Sequence, residues 1–196
     1  MDSLTIVGQA HNYSIGLMDD SEYNPYSSDN VVAYGKFYSE KVHEDYHYLP
    51  KRGVFVLRDG EIVASSCVCS SGGSTGIHPR CFILGHDRIA ICCGDNVFCL
   101  KIPDLGLIWN IKVDSATCFE IFKLEDSYIV HGELEISRLD AQGKVVWKFS
   151  GSDIFTTTIG KNDFTFEAGV IEAVNWEGRR FYLDALTGKE LKKFET

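Results

Sequence analysis

The sequence predicts an all-β fold: a small β-propeller, or a propeller-like stack of four-stranded antiparallel sheets, with four to five units. Three observations predict it. From residue 51 onward, short runs rich in β-branched and aromatic residues are punctuated by turn residues. No run is long enough, or spaced at 3.6, to read as a helix. A glycine-centred segment recurs at intervals near 40 residues, the period of propeller blades.

The strands are read in chain order. Val54–Arg58 and Glu61–Ala64 flank Asp59-Gly60, a pair favoured where both central residues of a tight hairpin need positive φ. Arg88–Cys92 and Val97–Ile102 are joined across Gly94-Asp95-Asn96, and Ser127–His131 and Leu134–Leu139 lie on either side of Gly132. Trp176-Glu-Gly-Arg179 gives the same turn signal before Phe181-Tyr-Leu183. Within residues 1–50, Val31–Tyr38 alternates as a strand, whereas residues 19–30 have little to bury and read as a loop.

One segment repeats. Leu139-Asp-Ala-Gln-Gly-Lys-Val-Val-Trp-Lys-Phe149 aligns with Leu183-Asp-Ala-Leu-Thr-Gly-Lys-Glu-Leu-Lys-Lys-Phe194 after one insertion, and Ile102–Trp109 and Leu57–Val63 are weaker copies. A twisted four-stranded sheet has two apolar faces and cannot hide both, so successive copies stacked face to face bury each other's sides. The segment resembles the outer hairpin of the quinoprotein-type (PQQ-like) β-propeller repeat. That resemblance implies a turn at the glycine and a tryptophan packed between neighbouring blades, roles that fall to Gly143 with Trp147 and Gly106 with Trp109. Leu191 stands where the last copy would carry tryptophan. Quinone-dependent members have many more blades than 196 residues can form, and the adjacent-cysteine disulfide beside their quinone invites comparison with Cys92-Cys93. Adjacent residues of a strand point to opposite faces, so the chain is read as a variant without cofactor.

The chain carries 28 acidic and 19 basic residues, a net charge of −9, and residues 1–50 hold 8 of the acidic and 2 of the basic side chains. This balance repels phosphate backbones and anionic membrane surfaces and suits a basic protein surface. No apolar run approaches the roughly 20 residues of a spanning helix. No basic start followed by an apolar core opens the chain. Seven cysteines, an odd number, lack metal-chelating spacing and read as reduced core thiols. A cytoplasmic location is the expectation.

Residues 1–50 therefore read as an acidic, tyrosine-rich segment of strand and loops that completes or caps the fold, with residues 51–196 holding the repeats and the whole forming one domain. Seven of the nine tyrosines fall in this segment. Tyrosine offers a stiff apolar plate with a polar tip, suited either to a contact surface or to sealing a sheet. Asp19, Asp20, Glu22, Tyr23 and Tyr26 are the candidate partner-binding residues, and the expected partner is another protein with a basic surface.

His43-Glu-Asp-Tyr-His47 matches the His-Glu-x-x-His pattern of zinc peptidases. On a helix, His43 and His47 would share a metal and Glu44 would activate water. Pro50 and Gly53 would end such a helix soon after, and the stretch also alternates as a strand. Neither a Gly-x-Ser-x-Gly elbow nor a phosphate-binding loop ending in Gly-Lys-Ser/Thr is found, and Ser70-Ser-Gly-Gly-Ser-Thr-Gly76 reads as a connecting loop. The functional expectation is a non-enzymatic protein-binding module with no cofactor, an immunity-type protein being one specific form. The alternatives are a small zinc-dependent hydrolase centred on residues 43–47 and a structural subunit that self-associates into a homo-oligomer.

Overall fold

Asp59 and Gly60 both adopt positive φ, 53° and 85°, and so turn β4 (Lys51–Arg58) tightly into β5 (Glu61–Cys69). The computed structural model describes residues 4–40, 46–157 and 163–191, and every regular element among them is a strand. Four sheets follow one another along the chain. The first adds β1 (Thr5–Ala10), β2 (Tyr13–Asp19) and β3 (Lys36–Ser39) in the order β1-β2-β4-β5-β3. The second runs in sequence order through β6 (Phe82–Leu84), β7 (Arg88–Cys93), β8 (Asn96–Lys101) and β9 (Leu107–Lys112). The third does the same through β10 (Cys118–Leu124), β11 (Ser127–Gly132), β12 (Glu135–Leu139) and β13 (Val145–Ser150). The fourth comprises β14 (Phe164–Glu167), β15 (Val170–Val174) and β16 (Arg180–Asp184).

The all-β, propeller-like stack is as expected, but the sheets are not uniform. The first has five strands, and β3 joins it parallel to β5. Only Lys36–Ser39 of the alternating segment 31–38 is strand. Val32 and Tyr34 are withdrawn because they pack down on the sheet face with Met18, Phe55 and Leu57. In the fourth sheet, a bridge between Leu183 and Glu190 begins the outermost strand position.

Neighbouring sheets share three apolar layers. Ile15, Leu17, Val54, Val56 and Val68 of the first sheet meet Ile89, Ile91, Cys93, Phe98 and Leu100 of the second. The opposite face of the second sheet, with Ala90, Cys92 and Val97, meets Ile121, Tyr128, Val130 and Leu139 of the third. Ile129 and Ile136 turn the other way onto Phe164, Ile171, Ala173, Phe181 and Leu183 of the fourth. The middle strands are thus buried on both sides, and Cys92 and Cys93 sit on opposite faces, as the pleat requires. Burying each large aliphatic or aromatic side chain contributes about 1.5–3 kcal/mol.

The repeated segment sets the spacing between sheets. Leu57, Leu100 and Leu139 each follow a register shift at the same place before a hairpin turn. The Asp140 carboxylate accepts the N–H groups of Gln142 and Lys144, both at 2.9 Å, and Asp184 accepts the N–H and hydroxyl of Thr187, both at 2.7 Å. Two of the turn glycines, Gly143 and Gly188, receive the tryptophan of the preceding sheet, not of their own. Trp109 lies on Gly143 and Trp147 on Gly188, where an added Cβ would sit 2.5 Å from the indole. Gly106 has no such visitor; the atoms nearest its missing Cβ belong to Asp104. At that junction Tyr38 of β3 takes over, its hydroxyl donating to the Leu105 carbonyl at 3.0 Å and accepting the Leu107 N–H at 3.2 Å.

The two ends of the stack are finished differently. The outer face of the first sheet lies under a cap that includes Val32 and Tyr34. On the fourth sheet, Ile171, Ala173, Phe181 and Leu183 face inward, so by alternation Thr165, Glu172, Arg180 and Tyr182 face outward, with Arg180 and Glu172 ion-paired.

Candidate partner-binding surface

The cap is built on two buried cations. Arg52 is 2% exposed; its Nη1 donates to Asp19 Oδ1 at 3.0 Å and to the Gly76 carbonyl at 2.8 Å, and its Nη2 donates to Thr75 Oγ1 at 3.2 Å. Lys51, also 2% exposed, donates from Nζ to the carbonyls of Ser21 (2.6 Å) and Leu49 (3.0 Å). Burying charge is costly unless it is paired and hydrogen-bonded, so part of the acidic surplus of residues 1–50 has a structural use. Nothing in Pro50-Lys-Arg-Gly53 announces burial; the clue is only that two cations start an otherwise apolar strand.

The candidate residues divide accordingly. Asp19 serves Arg52. Asp20 accepts the Tyr34 hydroxyl at 2.9 Å, and burial together with that bond pushes the Tyr34 hydroxyl well above the usual tyrosine range. Tyr34 lies on Gly53, where a Cβ would stand 2.3 Å from its oxygen. Tyr23 meets Tyr34 edge-on at 4.8 Å and belongs to the cap's interior packing. Glu22 and Tyr26 face solvent.

Around them the surface stays open. Tyr26 is 71% exposed, Tyr48 89% and Val31 99%. Tyr26 rests edge-on against the buried Tyr46, with 5.8 Å between ring centroids. The loop is held by Asn30, whose amide donates to the carbonyls of Asn24 (2.7 Å) and Ser27 (2.9 Å). A pocket of about 440 Å³ opens here, its lining including Asp19, Glu22, Tyr48, Leu49, Lys51 and Gly73. Among the described residues no ion pair reaches Glu22 or Asp29.

Of the zinc-peptidase match, His43 and Glu44 lie outside the described residues. His47 is exposed, with its ring 4.5 Å from that of Tyr48. A second cleft, about 330 Å³, is lined by residues including Arg80, Glu120, His131, Asp163 and Thr165. His131 Nε2 faces the Phe155 carbonyl at 2.9 Å and Nδ1 faces Glu120 at 3.2 Å. Both ring nitrogens thus have a partner within the protein, which fixes the orientation of the imidazole. Burial alone would raise the Glu120 carboxyl, but the His131 hydrogen bond and the nearby charges of His131 and Arg80 hold it below the usual range. The cysteines are all buried and free. Burial drives Cys99 up to about 11 and Cys93 to about 12, which suppresses the thiolate needed for nucleophilic chemistry.

No protein-family model matches the chain. No curated protein matches it in sequence. Among solved structures, it superposes on the crystal structure of BamB from Moraxella catarrhalis with a TM-score of 0.56, at 11% identity, over 94% of this chain and 49% of that one. It superposes on the AfRom2 CNH domain with a TM-score of 0.50, at 7% identity, over 96% of this chain and 52% of that one. The chain spans about half the length of each, and what it shares with them is the propeller-like arrangement of small antiparallel sheets.

Proposed function

We propose that the chain is a non-enzymatic, cytoplasmic protein-binding module, built on a cofactor-free variant of the quinoprotein-type repeat, that holds a basic partner protein at its cap. The repeat assignment draws support from the Asp-Ala turns, whose glycines receive the tryptophan of the preceding sheet. The binding reading draws its main support from one observation. Tyr26 and Tyr48 stand 71% and 89% exposed on the cap, beside a Glu22 carboxylate with no ion-paired cation among the described residues. Exposed aromatic plates supply contact area, and unpaired carboxylates attract and orient Lys and Arg of a partner. A neutralising partner of a basic toxin or nuclease is one form of this function that suits the charge and size of the chain.

The test is capture of partners from the native host by the intact chain, followed by direct binding with purified components. Binding is expected to weaken with salt and to be lost in a Glu22→Lys, Tyr26→Ala, Tyr48→Ala variant of unchanged stability. Undiminished binding by that variant would show that the partner is held elsewhere than at the cap.

A further inference from the structure

The β1–β2 and β6–β7 turns, far apart in the chain, bring two histidines together. His11 occupies the turn closed by the Ala10–Tyr13 pair, with φ of 54°. His86 lies in the turn where the Gly85 N–H donates to the Arg88 carbonyl at 2.8 Å. The turns meet because β1 and β6 approach closely; a Cβ on Gly8 would stand 2.8 Å from Leu84 Cδ2. The imidazole centroids are 3.7 Å apart, tilted by 58°, and both side chains are exposed. Among the described residues, neither ring is taken up by an ion pair or a side-chain hydrogen bond. The adjacent Asp87 carboxylate is held by its neighbour Arg88 at 3.0 and 3.1 Å.

We propose that His11 and His86 form a two-imidazole site for a divalent transition-metal ion, which ties the first and second sheets together at these turns. Two neutral imidazoles suit zinc, nickel and copper(II). No group of three or more His, Cys, Asp or Glu suited to a metal occurs among the described residues, so solvent completes the coordination. A metal–nitrogen distance of 2.0–2.1 Å with a tetrahedral angle requires the ring centroids to stand about 5 Å apart. Rotation of two exposed side chains on fixed turns accommodates that opening. An ion bound only by the folded chain stabilises the fold by mass action.

Zinc chloride titrated into the intact chain, followed by calorimetry and by thermal unfolding, tests the site. One equivalent is expected to bind and to raise the melting temperature. The His11→Gln and His86→Gln variants are each expected to lose that equivalent and the shift, while keeping the metal-free melting temperature of the parent. His43→Gln and His47→Gln are expected to retain both. Absence of zinc binding by the intact chain overturns the proposal, as does binding that survives in His11→Gln and His86→Gln or disappears only in the His43 and His47 variants.

Discussion

Trp147 lies across Gly188 and donates its indole N–H to the Ala185 carbonyl at 3.2 Å, and Trp109 repeats the arrangement on Gly143 and Ala141, also at 3.2 Å. The second and third sheets thus each anchor themselves on the outer turn of the next. The glycines have two reasons to be glycine: φ of 80° and 69°, and an indole where a side chain would begin.

Gly143→Ala and Gly188→Ala are accordingly expected to destabilise the chain by about 1–3 kcal/mol, through left-handed backbone strain and overpacking. Gly60→Ala, also at positive φ but with nothing within 4 Å of the added Cβ, carries the strain alone and is expected to cost about 1 kcal/mol. Equal urea midpoints for all three variants would show that the indole contact adds nothing.

These anchors mark how far the sequence was legible. The repeated Leu-Asp-Ala-x-Gly-Lys pattern located the hairpins because turn chemistry is local. The pairing of Trp109 and Trp147 with the following sheet's glycine was not legible, since it depends on how sheets stack. The same limit explains β3, whose Val31–Tyr38 alternation reads as strand although Val32 and Tyr34 are drawn onto a sheet face. It also explains the candidate surface. Acid and tyrosine were visible as composition, but Asp19 and Asp20 face inward partners that only folding assembles.

Asp19→Lys is therefore expected to destabilise the fold itself, because it places a second cation against the buried Arg52 guanidinium. Breaking a buried pair costs about 3–5 kcal/mol, and the 43% exposure of the Asp19 side chain puts this case toward the lower value. Glu22→Lys is expected to stay within about 0.5 kcal/mol of the parent, as surface substitutions do. Chemical denaturation of the two single variants checks the contrast, which fails if both unfold at the parent's midpoint.

Asp95 predicts the acid limb of stability. Its side chain is 2% exposed and accepts from Lys112 Nζ at 2.6 Å, Ser70 Oγ at 2.7 Å and Asn96 Nδ2 at 2.8 Å. Burial would raise this carboxyl, but the three hydrogen bonds outweigh it and hold it below the usual carboxylate range. A carboxyl depressed in the folded state contributes stability above its unfolded pKa of about 3.9 and loses it as pH falls through the folded value. Asp95→Asn is expected to be less stable than the parent at neutral pH, with the gap narrowing as the medium is acidified below about pH 4. A gap that stays constant down to acid unfolding would contradict this origin of the stability.

The thiols predict the cooperativity of the stack. All seven are 0–1% exposed, and they lie in the first three sheets and the connections between them. Cys93 contributes to the first apolar layer, and Cys92 and Cys118 to the second. A thiol reagent needs both access and thiolate, and burial withholds both from Cys93 and Cys99. The native chain is expected to react no faster than it unfolds globally, with all seven sites labelled together once denaturant is added. Because each of the first three sheets shares its apolar layer with a neighbour, no one of them is expected to open alone. Time-resolved labelling read by mass spectrometry checks this: a native population carrying one or two labels while the rest stay protected would mean that a sheet opens independently, and that the layers between sheets are weaker than their burial implies.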